Sequence, residues 1–196
     1  GAVSGFAADF TSNGVAYSSV NDTQAKVTGL SSGFSGALII PEKVNDYAVT
    51  SIDSKAFQNN SQITSVVIPS SVRNIGSYAF SGCTSLYKAE INAAITIINS
   101  YTFYGCTGLS SVVLPSSITT IGESAFENCS ALRNITFPEK LTTFGTHAFK
   151  NSGLTTAVFP DGVTTFGTWS FESCKSLQYM KLPTTATAIA EGTFYS

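Results

Sequence analysis

Charge is the first thing this sequence lacks. Lys, Arg, Asp and Glu together make up 11% of its 196 residues, against about a quarter in an average soluble domain. The formal net charge of −2 provides no basic stripe for a phosphate backbone, which argues against nucleic acid as a partner. Long hydrophobic runs are missing too. The longest strictly apolar stretch is Ala37-Leu38-Ile39-Ile40, far too short to span a bilayer as a helix. A single His leaves little material for imidazole-based chemistry. Disorder is excluded from the other side, because 14 Phe and 8 Tyr supply ample surface to bury.

In place of charge stand hydroxyls: 28 Ser and 24 Thr. Their distribution is periodic, and so is nearly everything else. Phe57, Phe80, Phe103, Phe126, Phe149, Phe171 and Phe194 follow one another at intervals of 23, 23, 23, 23, 22 and 23 residues. Five residues before each lies a second apolar column: Ile52, Ile75, Ile98, Ile121, Phe144, Phe166 and Ile189. Ile63, Leu86, Leu109, Leu132, Leu154 and Leu177 form a third. Such self-similarity is the signature of a solenoid, in which a unit too small to bury its own apolar face stacks on its neighbours.

Within a unit, Leu109-Ser110-Ser111-Val112-Val113-Leu114 alternates as a strand with one buried face does. Proline ends that strand at Pro69, Pro115, Pro138, Pro160 and Pro183, with Asn92 in the same place once. The next apolar pair, such as Ile118 and Ile121, suits a second short strand. Gly76, Gly122, Gly145 and Gly167 then read as a turn position requiring positive φ, with Asp53 and Asn99 in the same column. The following segment, such as Glu123-Ser124-Ala125-Phe126, is predicted to make about one helical turn and drop its Phe into the core.

Leu-x-x-Val-x-Leu-Pro-x-x-Ile-x-x-Ile-Gly-x-x-Ala-Phe-x-x-Cys resembles the BspA-like leucine-rich repeat of bacterial and protozoan surface proteins. The match runs over residues 49–196, about six full copies and a partial last one. Residues 1–48 read as an N-terminal cap with a degenerate first repeat. In it, Val15-Ala16-Tyr17 and Ala25 to Gly29 suggest a β-hairpin, and Ala37 to Ile40 the first repeat strand. The resemblance implies a right-handed leucine-rich-repeat coil, β-rich, with a parallel sheet on the concave face and short helical turns opposite. It also implies an extracellular or cell-surface location and a role in adhesion. The chain starts at Gly1 without a charged-then-apolar leader, so a secreted or surface protein is expected to have lost its signal peptide. No C-terminal cap is visible, which leaves end-to-end self-association or further repeats as expectations.

The candidate chemistry is sparse. Cys83, Cys106, Cys129 and Cys174 share one column, which spreads them along the stack instead of converging them on a metal. They read as buried small side chains, with disulfides between neighbouring coils as the alternative. His147 has no nucleophile at a suitable spacing, and Glu90, Glu123, Glu127, Glu139 and Glu172 form no recurring acidic pair. No catalytic, cofactor or metal site is therefore expected. Asn-x-Ser/Thr sequons at Asn21, Asn59, Asn128 and Asn134 matter only in a eukaryotic secretory host.

Two surfaces remain. On the outward face of the long strands, Tyr87, Lys88, Glu90, Arg133, Tyr179 and Lys181 are the candidate anchors for a protein partner from the host, the matrix or another cell surface. On one flank, Tyr78, Tyr101 and Trp169 share the His147 column and form an alternative aromatic patch suited to carbohydrate. A structural spacer in a larger surface protein is the third reading.

Overall fold

The computed structural model describes residues 8–186 and 188–196. The first seven residues of the expected cap and Thr187 lie outside them. Among the described residues about seven coils stack one on another, and most have three sides: a long strand, a short strand and a run of turns. No helix occurs among the described residues.

The chain enters through an antiparallel hairpin, as expected. Asp9–Ser12 pairs with Val15–Ser19, which pairs in turn with Gln24–Leu30. Gln24–Leu30 then lies parallel to Tyr47–Ile52, so the hairpin closes one edge of the solenoid and covers what would be an open ladder. The residues that interrupt the repeat spacing form a small hairpin of their own. Lys43–Val44 folds back on Tyr47–Ile52 through Asn45, at φ 50°.

The long strands Gly36–Ile39, Ile63–Ile68, Lys88–Ile91 and Ser111–Val113 make a parallel sheet in coil order. Their inward residues, among them Ile63, Val66, Ile68, Ala89 and Ile91, are buried. After the proline corner come two-residue strands. Ile97–Ile98, Thr120–Ile121, Thr143–Phe144 and Thr165–Phe166 pair in parallel as a second sheet.

The third side replaces the expected helical turn. In residues 76–83 the amides alternate between two kinds of partner. Ala79, Ser81 and Cys83 donate to carbonyls three residues back, while Tyr78, Phe80 and Gly82 donate to Ser100, Thr102 and Tyr104 of the next coil. A helix would spend every amide inside its own coil. The alternation instead knits each coil to the following one and still satisfies the buried backbone.

That geometry moves the positive φ from the predicted column. It falls on Lys55, Tyr78, Tyr101, Ser124, His147, Trp169 and Gly192, and again four residues later, on Asn59, Gly82, Gly105, Asn128, Asn151 and Ser173. Gly76, Gly122, Gly145 and Gly167 are not in that region. They are glycine because neighbouring coils meet there: a Cβ on Gly145 would lie 2.6 Å from the Glu123 nitrogen, and one on Gly76 2.3 Å from that of Ser54.

The Phe column runs through the centre as a pile of near-parallel rings. Centroids from Phe57 to Phe194 are 5.0, 5.4, 5.4, 5.0, 5.2 and 5.5 Å apart, close to the coil spacing itself. The four cysteines sit beside it, buried as free thiols. Each Sγ donates to the carbonyl of the preceding coil's Phe: Cys83 to Phe57 at 3.2 Å, Cys106 to Phe80 at 3.0 Å, Cys129 to Phe103 at 3.2 Å and Cys174 to Phe149 at 3.2 Å.

Candidate functional site

Strand register lines up the outward side chains of the long-strand face in rows. Ser65, Lys88 and Ser111 form one row; Val67, Glu90 and Val113 form the next, with Ile39 beside Val67. Tyr87 and Tyr179 are 54% and 56% exposed, and Ile39, Val113 and Val158 are 70%, 48% and 51% exposed. Lys88 and Glu90 pair across one strand at 3.7 Å, both well solvated, so the pair presents charge without adding much stability.

The six candidate anchors do not form one cluster. Tyr87, Lys88 and Glu90 lie on the third coil, Arg133 on the fifth, and Tyr179 and Lys181 on the seventh. Four coil spacings of about 4.8 Å put the outer groups roughly 19 Å apart. The Arg133 guanidinium leans toward the C-terminal coils, 3.4 Å from the Gly153 carbonyl and 3.3 Å from Ser176 Oγ.

The expected continuous sheet is interrupted. Ser111–Val113 is the last strand of the first sheet, residues 133–137 form no strand, and Thr156–Val158 pairs only with Tyr179–Lys181. One backbone bond, from Thr155 to the Arg133 carbonyl at 2.8 Å, starts a ladder there. The Asn134 side chain then takes the next position, accepting from Thr156 Oγ1 at 2.8 Å.

The core changes composition at the same coil. In this coil and the next, Phe137 and Phe159 occupy the column held earlier by Ile68, Ile91 and Leu114, and Phe144 and Phe166 that of Ile75, Ile98 and Ile121. Phe137 packs edge-on to Phe144 at 5.1 Å and stacks on Phe159 at 5.5 Å. The short strands Thr143–Phe144 and Thr165–Phe166 remain paired there.

A groove of about 420 Å³ follows the break, lined by Thr136, Phe137, Glu139, Val158, Asp161 and Lys181. Of the sequence-predicted anchors only Lys181 lines it. Asp161 accepts from the Thr184 amide at 3.0 Å and its hydroxyl at 2.9 Å, and these bonds hold its carboxyl below the ordinary carboxylate range. Phe137 and Phe159, which replace Ile or Leu in one core column, both line this groove.

The aromatic flank divides as well. Tyr78 and Tyr101 stack at 4.6 Å and 3°, with Lys55 Nζ 5.7 Å from the Tyr78 ring. The Tyr101 hydroxyl donates to Glu123 at 3.0 Å. The nearby Ser124 hydroxyl pulls that phenol's pKa down, but the Glu123 carboxylate outweighs it and the net shift is upward. Trp169 stands three coils beyond Tyr101, over Gly192 and edge-on to Tyr195 at 5.7 Å. Burial pushes the Cys83 thiol up to about 12 and raises Cys106, Cys129 and Cys174 too. Among the described residues, no group of three or more His, Cys, Asp or Glu side chains could hold a metal ion.

With the three-sided coil and its columns in place, comparison with known families is direct. The model of the BspA type leucine-rich repeat region matches residues 50–178 in six copies. The chain belongs to that family. Among solved structures, a T. pallidum leucine-rich repeat protein is 27% identical, with a TM-score of 0.77 over 90% of this chain and 84% of that one. A leucine-rich repeat protein from Bacteroides ovatus is 31% identical, with a TM-score of 0.63 over 90% of this chain and 42% of the other. A leucine rich cell surface protein from Faecalibacterium prausnitzii is 27% identical, with a TM-score of 0.68 over 91% and 55%. The chain thus spans about half the length of the last two. A search of curated proteins finds no significant match. Among the described residues, no helix is long and apolar enough to cross a membrane.

Proposed function

We propose that this BspA-type repeat chain is a non-enzymatic protein-binding module, displayed on a cell surface or secreted, whose partner lies across the long-strand face. The observation that carries this reading is the exposure of Ile39, Tyr87, Val113, Val158 and Tyr179 on a sheet face that could have been wholly polar. Exposed apolar and aromatic residues on a rigid scaffold are the usual anchors of recognition, and a solenoid face offers them over a long span. The groove after Ser111–Val113 adds a concave element with ionised Asp161 and Lys181 at its rim. Adhesion to host, matrix or neighbouring-cell proteins is the use that this surface and the family suggest.

Biolayer interferometry against immobilised extracellular-matrix proteins tests the reading. Binding at micromolar concentration that falls about tenfold or more in Tyr87→Ala/Tyr179→Ala supports it. Absence of binding to every protein at that concentration counts against adhesion.

A further inference from the structure

Residues 134–137 stand at the ladder break with a groove on each side. Their amides donate to no backbone acceptor among the described residues, although the equivalent segments of the earlier coils pair in register. On the C-terminal side lies the groove already described, lined by Thr136, Glu139, Val158, Asp161 and Lys181 among others. On the N-terminal side lies a second, also of about 420 Å³, lined by Val112, Val113, Leu114, Thr136, Phe137 and Glu139 among others. Thr136, Phe137 and Glu139 line both, so they form the ridge between the two.

The two grooves differ in chemistry. The N-terminal one has a wall of Val112, Val113 and Leu114, with Val113 exposed, and Glu139 is the one ionisable residue in its lining. The C-terminal one sets the carboxylates of Glu139 and Asp161 against a single ammonium, that of Lys181. Among the described residues neither carboxylate is in an ion pair. The Thr184 amide and hydroxyl both donate to Asp161 Oδ1, which leaves Oδ2 free for an outside donor. Lys140 lines neither groove, and the Arg133 guanidinium is turned toward Gly153 and Ser176.

We propose that the two grooves together bind an extended peptide segment of the partner, an apolar side chain entering the first and a Lys or Arg two residues along meeting Glu139 and Asp161 at the second. This rests on the protein-binding reading and names the part of the partner that the long-strand face takes. Side chains at positions i and i+2 of an extended chain point the same way and stand about 7 Å apart, far enough to straddle one coil at a spacing of about 4.8 Å. The unpaired amides of the ridge are donors for the carbonyls of the peptide. An apolar occupant takes the exposed Val113 surface out of water. A cation is favoured over an anion at the second groove because carboxylates outnumber the ammonium in its lining.

The test is an amide chemical-shift titration of the labelled chain with acetyl-Thr-Ile-Thr-Lys-Thr-amide, set against the same peptide with Glu for Lys or Ser for Ile. Saturable shifts at Val113, Thr136 and Glu139 are expected with the first peptide. Each of the other two should bind about threefold more weakly or worse. Glu139→Gln/Asp161→Asn exchanges two exposed carboxylates for amides of the same shape, so it should fold as the parent does and bind the Lys and Glu peptides alike. Two outcomes overturn the grooves: no peptide moves those resonances at millimolar concentration, or the folded double variant still prefers the Lys peptide. A matrix protein that binds the parent and the double variant equally tightly also overturns them, while leaving the protein-binding reading in place. Saturable peptide binding with no matrix protein as ligand supports the grooves and removes adhesion.

Discussion

Gly145 faces the backbone of the preceding coil, and an added Cβ would meet the Glu123 nitrogen. Gly145→Ala should therefore lose more than about 1 kcal/mol in urea titration. Phe126 is fully buried in the middle of the ring pile, and Phe126→Ala should cost roughly 3–5 kcal/mol. A cost below about 1 kcal/mol would remove the column from the core.

The thiols supply a prediction about pH. Burial raises the Cys83 pKa from the ordinary 9.0 to about 12 and shifts the other three in the same direction. Below the unfolded value both states keep the proton and nothing is lost. Above it the unfolded chain ionises while the folded one resists, so stability should fall from about pH 9 toward 12. Urea midpoints across that range check the sign, and a midpoint that rises with pH contradicts the burial. Ellman's reagent at pH 8 should find native thiols inert and all four reactive in denaturant.

At the scale of elements, the two ladders break at different coils. The short strands stop pairing between Asn74–Ile75 and Ile97–Ile98, and the long strands at residues 133–137. Amide exchange should therefore be faster at Asn134, Ile135 and Thr136 than at the paired Ala89 and Glu90. Equal protection would show a closed ladder in solution. The long strands themselves were legible from alternation and proline, because a period of two and a missing donor act locally. The break was not, because Asn134 and Ile135 continue the same local alternation, and strand pairing is decided by the backbone of the neighbouring coils. The turn side was misread as helical for a similar reason: its alternate amides bond to the next coil, and a sequence window does not contain their acceptors.

For the molecule as a whole, periodicity alone determined the stack. Columns 22 or 23 residues apart leave no other way to bury Phe57 through Phe194, and low charge with abundant hydroxyl follows from reusing the same small polar corners. The outward positions of Tyr87, Lys88, Glu90, Tyr179 and Lys181 follow from the same alternation. Tertiary structure alone decided how those positions are distributed. It set two anchor groups on either side of a break, placed a groove beside Phe137 at that break, and stacked Tyr78 on Tyr101 while leaving Trp169 three coils away. Repetition along a chain dictates which residues share a column, but spacing and exposure within it depend on the side chains that meet from different coils.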